Sequence, residues 1–156
     1  MTIAIPAWTA VRESVWAYPA LEIAHFLGVA ILLGNLLLVE LRVLGLGRSI
    51  DAAALARFAL PVALAGFGLA AASGLVMFAS QPGELLSNLA FQAKMGLLML
   101  AGTNAALFHA RGSLARGDGI ARAQAWASAA LWICVLAAGR LIAYVCPSFK
   151  ESANPC

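Results

Sequence analysis

The segment YPALEIAHFLGVAILLGNLLLV, residues 18–39, decides the fold of this chain. A helix needs about 20 predominantly apolar residues to cross the hydrocarbon core of a bilayer. This segment supplies them and carries only two ionisable side chains, Glu22 and His25, which stand one helical turn apart. Because an ionisable group inside a membrane span is costly, it is by default a candidate functional residue. The segment therefore predicts a membrane helix and a site within it.

The composition extends this prediction to the whole chain. Of the 156 residues, 63% are hydrophobic and 11% are charged, whereas about a quarter of the residues in a soluble domain are charged. The length accommodates about four spans of roughly 20 residues each. We expect an all-α, integral membrane four-helix bundle with up-down-up-down topology. It would form a single domain, with its spans at residues 18–41, 58–79, 89–110 and 123–145.

The basic residues predict how this bundle is oriented. Six of the ten lysine and arginine residues fall in the connections after the first and third spans, namely Arg42, Arg48, Arg57, Arg111, Arg116 and Arg122. The positive-inside rule places both connections in the cytoplasm and both termini outside it, in a bacterial-type inner membrane. Since topology accounts for these charges, the expected partner is the lipid bilayer and not nucleic acid.

Several polar side chains are predicted to share one depth in the outer half of the bundle. With about 1.5 Å of rise per residue, Glu22 and His25 lie roughly 6 and 10 Å below the outer end of the first helix. Corresponding positions on the third and fourth helices add Lys94, Arg140 and Tyr144. Each intramembrane charge costs on the order of 2.5 to 3.5 kcal/mol unless it is paired or reaches the interface, so this convergence indicates a site. The alternative is structural: the cations snorkel, Glu22 caps its helix or forms an ion pair, and His25 packs through a hydrogen bond.

The second histidine, His109, belongs to a different layer. It lies roughly 15 Å from His25 along the membrane normal by the same helical rise. Two imidazoles at that separation cannot ligate one metal, because each must stand about 2 Å from it. His109 is then either an interfacial histidine at a helix C-terminus or part of a second, inner site with Asn104, Asn35 and Glu40.

The outer layer has the residue types that a haem group needs. A neutral imidazole in an apolar bundle suits haem iron as an axial ligand, and basic side chains at the bundle edge suit the haem propionates. Gly28 and Gly34 remove side chains from the face beside His25. That face would give clearance to a flat macrocycle or let another helix approach closely, and both interpretations stay open.

The pattern of motifs resembles two families of four-span membrane proteins. His25-x-x-Gly28 opens the first span, an arginine-bearing connection and a second span rich in Pro and Gly follow, and Phe91-x-x-Lys94 with MGLL opens the third. These features are similar to the CopD-like copper-resistance membrane proteins and to the HemJ type of protoporphyrinogen oxidase. The resemblance to the HemJ type implies that His25 and Lys94 take part in haem binding and activity. His109 loosely matches a further histidine of the HemJ type.

Copper is the alternative metal. Its ligands would be imidazole or thioether groups, and the candidates are His25, Met77, Met95 and Met99, with Cys146 at an outer entrance or paired with Cys156. Methionines scattered in apolar helices are also common core residues. No nucleophile elbow, zinc signature or phosphate loop occurs in the sequence, so hydrolytic and nucleotide-dependent functions are not expected.

The sequence thus favours a membrane-embedded b-type haem redox protein, a candidate membrane oxidoreductase that exchanges electrons with quinone or a periplasmic partner. His25 would be the metal ligand, Lys94, Arg140 and Tyr144 would bind the cofactor, and Glu22 and Lys94 would act in proton transfer or on a substrate. The alternatives are copper or small-solute transport and a structural or assembly subunit. Homo-oligomerisation through the Ala and Gly faces is a further expectation.

Overall fold

The structure, a computed structural model, describes residue 11 and residues 14–145. Six helices lie within residues 14–145: α1 (Ala17–Val43), α2 (Ala52–Ser80), α3 (Pro82–Ser87), α4 (Leu89–Ala110), α5 (Ser113–Arg116) and α6 (Gly119–Leu141). No strand occurs among the described residues. The predicted all-α class is therefore confirmed for this part of the chain. The expectations for Cys146 and Cys156 lie outside the described residues.

Three of these helices, α1, α2 and α6, are long and apolar enough to cross a membrane, as expected of a multi-pass membrane protein. Large apolar side chains on their surfaces are exposed, for example Phe26 at 69%, Leu64 at 69% and Ile133 at 67%, as a lipid environment requires. The helix α4 has 22 residues, but polar side chains such as Gln92 and Asn104 lower its hydropathy. The four-span topology and its orientation therefore stay predictions.

The helix α2 begins earlier than the span predicted for it. It starts at Ala52, and its first residues, AAALAR, are strong helix formers. Pro61 consequently lies inside the helix, where it has no N–H to donate to the carbonyl of Arg57. Arg57, which the sequence assigned to a connection, thus belongs to the first turns of α2.

The other two long helices agree with the prediction to different degrees. The bounds of α4, Leu89–Ala110, coincide with the predicted third span. The helix α6 starts earlier than residue 123, because Asp118 caps its N-terminus by accepting a hydrogen bond from the Ala121 amide. It ends at Leu141, before the predicted residue 145. Arg140 therefore lies in the last turn of α6.

The chain divides into two compact units. The first combines residues 1–39 with residues 54–82 and contains most of α1 and α2. The second combines residues 40–53 with residues 83–156 and contains the connection after α1 together with α4, α5 and α6.

Backbone contact between two glycines brings α1 and α2 together in the first unit. A Cβ atom added to Gly28 would lie 2.6 Å from the amide nitrogen of Ala70 and 2.7 Å from the carbonyl oxygen of Gly66. A Cβ atom added to Gly66 would lie 2.8 Å from the carbonyl oxygen of Gly28. Only glycine permits this approach, which is the usual role of small residues between membrane helices. By contrast, Gly34 has nothing within 4 Å of an added Cβ atom.

In the second unit α4 and α6 pack in antiparallel directions. The Asn88 side chain accepts hydrogen bonds from the Ala90 and Phe91 amides at the start of α4. Its Nδ2 atom donates to the carbonyl oxygens of Ile142 and Val145, just beyond α6, at 3.0 and 2.8 Å. One buried side chain therefore caps α4 and fastens the end of α6 to it. Alanines supply most of the buried residues of these two helices, namely Ala90, Ala101, Ala121, Ala125 and Ala138.

Candidate functional site

His25 is held in a defined orientation within the first unit. Its Nδ1 atom lies 2.8 Å from the carbonyl oxygen of Ala70 on α2. A carbonyl can only accept, so Nδ1 carries the proton and donates it. In the neutral ring the lone pair is then on Nε2. The hydroxyl of Ser73 lies 3.4 Å from the same Nδ1 atom and donates to its own helix at Leu69 over 2.7 Å.

The imidazole ring packs directly on the surface of α2. A Cβ atom added to Gly74 would lie 3.3 Å from Cε1 of His25 and 3.4 Å from Nδ1. That separation is tighter than an ordinary carbon contact, so Gly74 leaves the space that the ring uses. The neighbouring Phe26 ring meets the imidazole edge-on at 6.5 Å between centroids. The hydrogen bond to Ala70 and the packing on α2 therefore both hold the half-buried His25 in place.

Of the two glycines that follow His25 on α1, only Gly28 packs against another helix. Gly28 was one of two glycines that could have cleared a face for a macrocycle. Because its face meets the backbone of α2 at Gly66 and Ala70, the close-packing interpretation holds at Gly28. Gly34 leaves open space, but it lies more than two helical turns from His25.

Glu22 lies one turn before His25 on α1 and is exposed. Its carboxylate forms no ion pair or hydrogen bond with any residue in the described part of the chain. Near it, the Gln81 side chain at the end of α2 donates to the Tyr18 hydroxyl at the start of α1, over 2.9 Å. This bond joins the two helices at the same end as Glu22.

The predicted cationic residues lie in the second unit. Lys94 on α4 is half-buried and packs across Gly139 of α6, since a Cβ atom added to Gly139 would lie 3.6 Å from the lysine Nζ atom. The next residue, Arg140, donates from Nη2 to the Tyr144 hydroxyl over 2.9 Å. Its guanidinium carbon also lies 5.1 Å from the centre of the Tyr144 ring, which is a cation–π contact. Tyr144 thus orients Arg140.

The five residues predicted for the outer layer are therefore distributed over both units. Glu22 and His25 belong to the first unit, while Lys94, Arg140 and Tyr144 belong to the second. Within the second unit, Arg140 and Tyr144 are in contact, and Lys94 packs on Gly139, the residue before Arg140. That all five line one site stays a prediction.

The residues of the predicted inner site have separate partners. His109 is exposed in the last turn of α4, as an interfacial histidine would be. Asn104 donates to the Gln124 carbonyl of α6 over 3.0 Å, and Asn35 donates to its own helix over 2.8 Å. Glu40 is buried beside the Ser128 hydroxyl, and its Oε1 atom has no hydrogen-bond partner among the described residues. No hydrogen bond within residues 14–145 joins these residues to one another.

The described residues contain no cluster of side chains that could hold a metal ion by themselves. Within residues 14–145, no group of three or more His, Cys, Asp or Glu side chains could hold a metal ion. The candidate copper ligands Met95 and Met99 are exposed on α4, and Cys134 is an exposed free thiol on α6. Copper binding stays a prediction.

Sequence reasoning missed a polar network at the start of α6. Arg111 forms an ion pair with Asp118 at 3.1 Å, and the Ser113 hydroxyl donates to the Gln124 side chain over 2.7 Å. The hydrogen bond from the Ala121 amide, and to a smaller extent the nearby Arg111, hold the pKa of the Asp118 carboxyl below its usual value. The only signal in the sequence was Asp118 itself, a capping residue ahead of an apolar run.

Comparison with known proteins identifies no relative. No family model, no curated protein and no solved structure matches the chain. The fold and the apolar helices define the class, a multi-pass α-helical membrane protein.

Proposed function

We propose that this protein is a membrane-embedded b-type haem redox protein in which His25 is the axial ligand of the haem iron. The observation that supports the proposal is the hydrogen bond from Nδ1 of His25 to the Ala70 carbonyl oxygen, at 2.8 Å. Metal-bound histidines almost always donate their other ring N–H to a carbonyl or carboxylate, which fixes the tautomer and the ring orientation. His25 has this arrangement at Nδ1, and in its neutral form the lone pair is on Nε2.

The chemistry of His25 fits a haem group at this one point. Iron needs a neutral imidazole with its lone pair on Nε2, and the bond to the Ala70 carbonyl selects that tautomer among the two neutral ones. When bound, haem supplies one-electron transfer, and its potential depends on the axial ligand and on burial. Quinone or a periplasmic redox protein would be the electron partner. The resemblance of the His25 and Lys94 motifs to HemJ-type proteins points in the same direction.

The proposal keeps the roles predicted for the other polar residues. Lys94 and Arg140 would be the charge partners of propionates or of a bound substrate, with Tyr144 orienting Arg140. Glu22, exposed one turn from His25, would transfer protons. The proposal also places the site in the outer half of an inner-membrane bundle whose termini lie outside the cytoplasm.

Two variants of one residue test the proposal. His25→Ala removes both the ligand and the donor to Ala70, whereas the side-chain nitrogen of His25→Asn replaces Nδ1 and leaves nothing at Nε2. We expect a Soret band in the wild-type protein, purified in detergent from cells supplied with haem, and its loss in both variants. His25→Asn should keep nearly the wild-type melting temperature, because the bond to Ala70 remains. A colourless wild type, or a Soret band that survives in His25→Asn, contradicts the proposal.

A structural role for His25 is the second candidate. The same hydrogen bond ties α1 to α2, and the ring fills the space that Gly74 leaves. In this case the wild type has no Soret band, while His25→Ala still lowers the melting temperature and His25→Asn restores most of it. The spectrum of the wild type therefore separates the two functions, and the stability of the two variants measures the structural contribution in either case.

A further inference from the structure

A cleft lined by three arginines opens in the second unit. Its volume is about 490 Å³. Arg42 enters it from the last turn of α1, Arg48 from the following connection, and Arg122 from the first turn of α6. Gly45 and Gly117, both with positive φ, form parts of its wall. Residues from both basic connections therefore meet in one concave surface.

Hydrogen bonds to the backbone hold two of these guanidinium groups in place. The Nε atom of Arg42 donates to the Ile50 carbonyl over 2.7 Å, and that of Arg48 donates to the Gly45 carbonyl over 3.2 Å. A guanidinium has five N–H donors, so each bond uses one and leaves the outer N–H groups for a ligand. These outer groups form the planar fork that binds carboxylate and phosphate oxygens in pairs.

The charges of the cleft are not balanced by carboxylates. Within residues 14–145, no acidic side chain forms an ion pair with Arg42, Arg48 or Arg122. Asp118, next to the cleft residue Gly117, is paired with Arg111, which does not line the cleft. Because like charges gathered in one concave surface repel, an anion between them would stabilise the arrangement.

We propose that this cleft binds a phosphate group. Phosphate offers several oxygens to bidentate arginines, and a single carboxylate offers only two. The cleft volume is in the range of small-molecule sites, so it can also take part of the molecule that carries the phosphate. Arg42 and Arg122 stand at the ends of two helices that are apolar enough to cross a membrane. In a membrane, the headgroups of anionic lipids would reach arginines at such helix ends, and a free phosphorylated solute has the same chemistry. The source is either an anionic phospholipid or a soluble phosphate compound.

The test compares two double variants that remove equal charge from the same two arginine-rich regions. Arg48→Gln with Arg122→Gln removes two cleft arginines, and Arg57→Gln with Arg116→Gln removes two arginines that do not line the cleft. Melting temperatures of the full chain in an uncharged detergent are measured in three arms at matched ionic strength: phosphatidylglycerol, phosphatidylcholine and inorganic phosphate.

We expect phosphatidylglycerol or inorganic phosphate to raise the wild-type melting temperature in a saturable manner. The cleft variant should bind about tenfold more weakly or worse, since it loses charge-assisted hydrogen bonds, while the control variant should match the wild type. A response to phosphatidylglycerol alone identifies a lipid headgroup, and a response to inorganic phosphate as well identifies the phosphate itself. No saturable response in the wild type, or an equal loss in both variants, overturns the proposal.

A second measurement needs no variant. Native mass spectrometry of the wild type with equal amounts of phosphatidylglycerol and phosphatidylcholine, or with inorganic phosphate, should retain one phosphate-bearing anion per chain. Equal retention of phosphatidylcholine and phosphatidylglycerol together with no retained phosphate overturns the proposal, even if the cleft variant fails to fold.

Discussion

Replacing Gly28 by alanine should force α1 and α2 apart. The new Cβ atom would meet two backbone atoms of α2, the Ala70 nitrogen at 2.6 Å and the Gly66 oxygen at 2.7 Å. Backbone atoms of a helix cannot turn away as a side chain can, so the helices must separate until the contact reaches about 3.4 Å. That requires an opening of roughly 0.8 Å at this point.

Separating the helices would also stretch the hydrogen bond of His25, which lies one turn from Gly28 on α1. The bond from His25 to the Ala70 oxygen, now 2.8 Å, would lengthen toward 3.6 Å, a separation that no longer counts as a hydrogen bond. Overpacking costs about 1 to 3 kcal/mol, and the lost interhelical bond costs about 0.6 to 1 kcal/mol more. Alanine returns about 0.5 to 1 kcal/mol through its higher helix propensity. We therefore expect Gly28→Ala to lower the free energy of unfolding by about 1 to 3 kcal/mol.

The matched control is Gly34→Ala on the same helix. An added Cβ atom there has nothing within 4 Å, so only the gain in helix propensity applies and stability should be unchanged or slightly higher. Unfolding of both variants in mixed micelles, followed by circular dichroism as the denaturing detergent increases, measures the difference. A Gly28→Ala protein as stable as the wild type, or an equal loss in Gly34→Ala, would refute the reasoning.

Two further predictions concern the second unit. Asn88→Ala should cost about 2 kcal/mol, since it removes the N-cap of α4 and two hydrogen bonds to the end of α6. Asn88→Ser, whose hydroxyl keeps the cap but has no amide to donate to both α6 carbonyls, should lie between alanine and wild type in melting temperature. Because the Ala121 amide and Arg111 lower the pKa of Asp118, its ionised form stabilises the fold above its ordinary pKa, and this contribution disappears as the pH falls through the lowered value. Melting temperatures measured against pH should therefore fall less steeply at acidic pH in Asp118→Asn than in the wild type, and identical profiles would contradict this assignment.

The sequence predicted the helices well because hydropathy is a local property. Residues 89–110 were assigned to a span, and α4 has those bounds. At α2 the presence of Arg57 suggested a longer connection, whereas the alanines that begin at Ala52 already form a helix. A single arginine does not interrupt a helix, since its propensity is high.

The candidate site was less predictable because it depends on contacts between distant residues. The rise per residue gives the depth of Glu22, His25 and Lys94, but it does not give the rotation of each helix about its axis. Nor does any local pattern indicate that the Ala70 carbonyl would accept a hydrogen bond from His25, or that Gly28 would face α2. Those contacts depend on how α1 packs against α2, and the local pattern of a single sequence does not predict that packing.

The contacts of Gly28 and His25 lie on one face of α1 within a single turn, and they engage the same stretch of α2. A slip of α1 by one residue would move it about 1.5 Å along its axis and rotate it by about 100°. Such a screw motion would break the backbone contact and the hydrogen bond together. The two contacts thus define one register between the helices, and a motion of α1 along its axis must carry α2 with it.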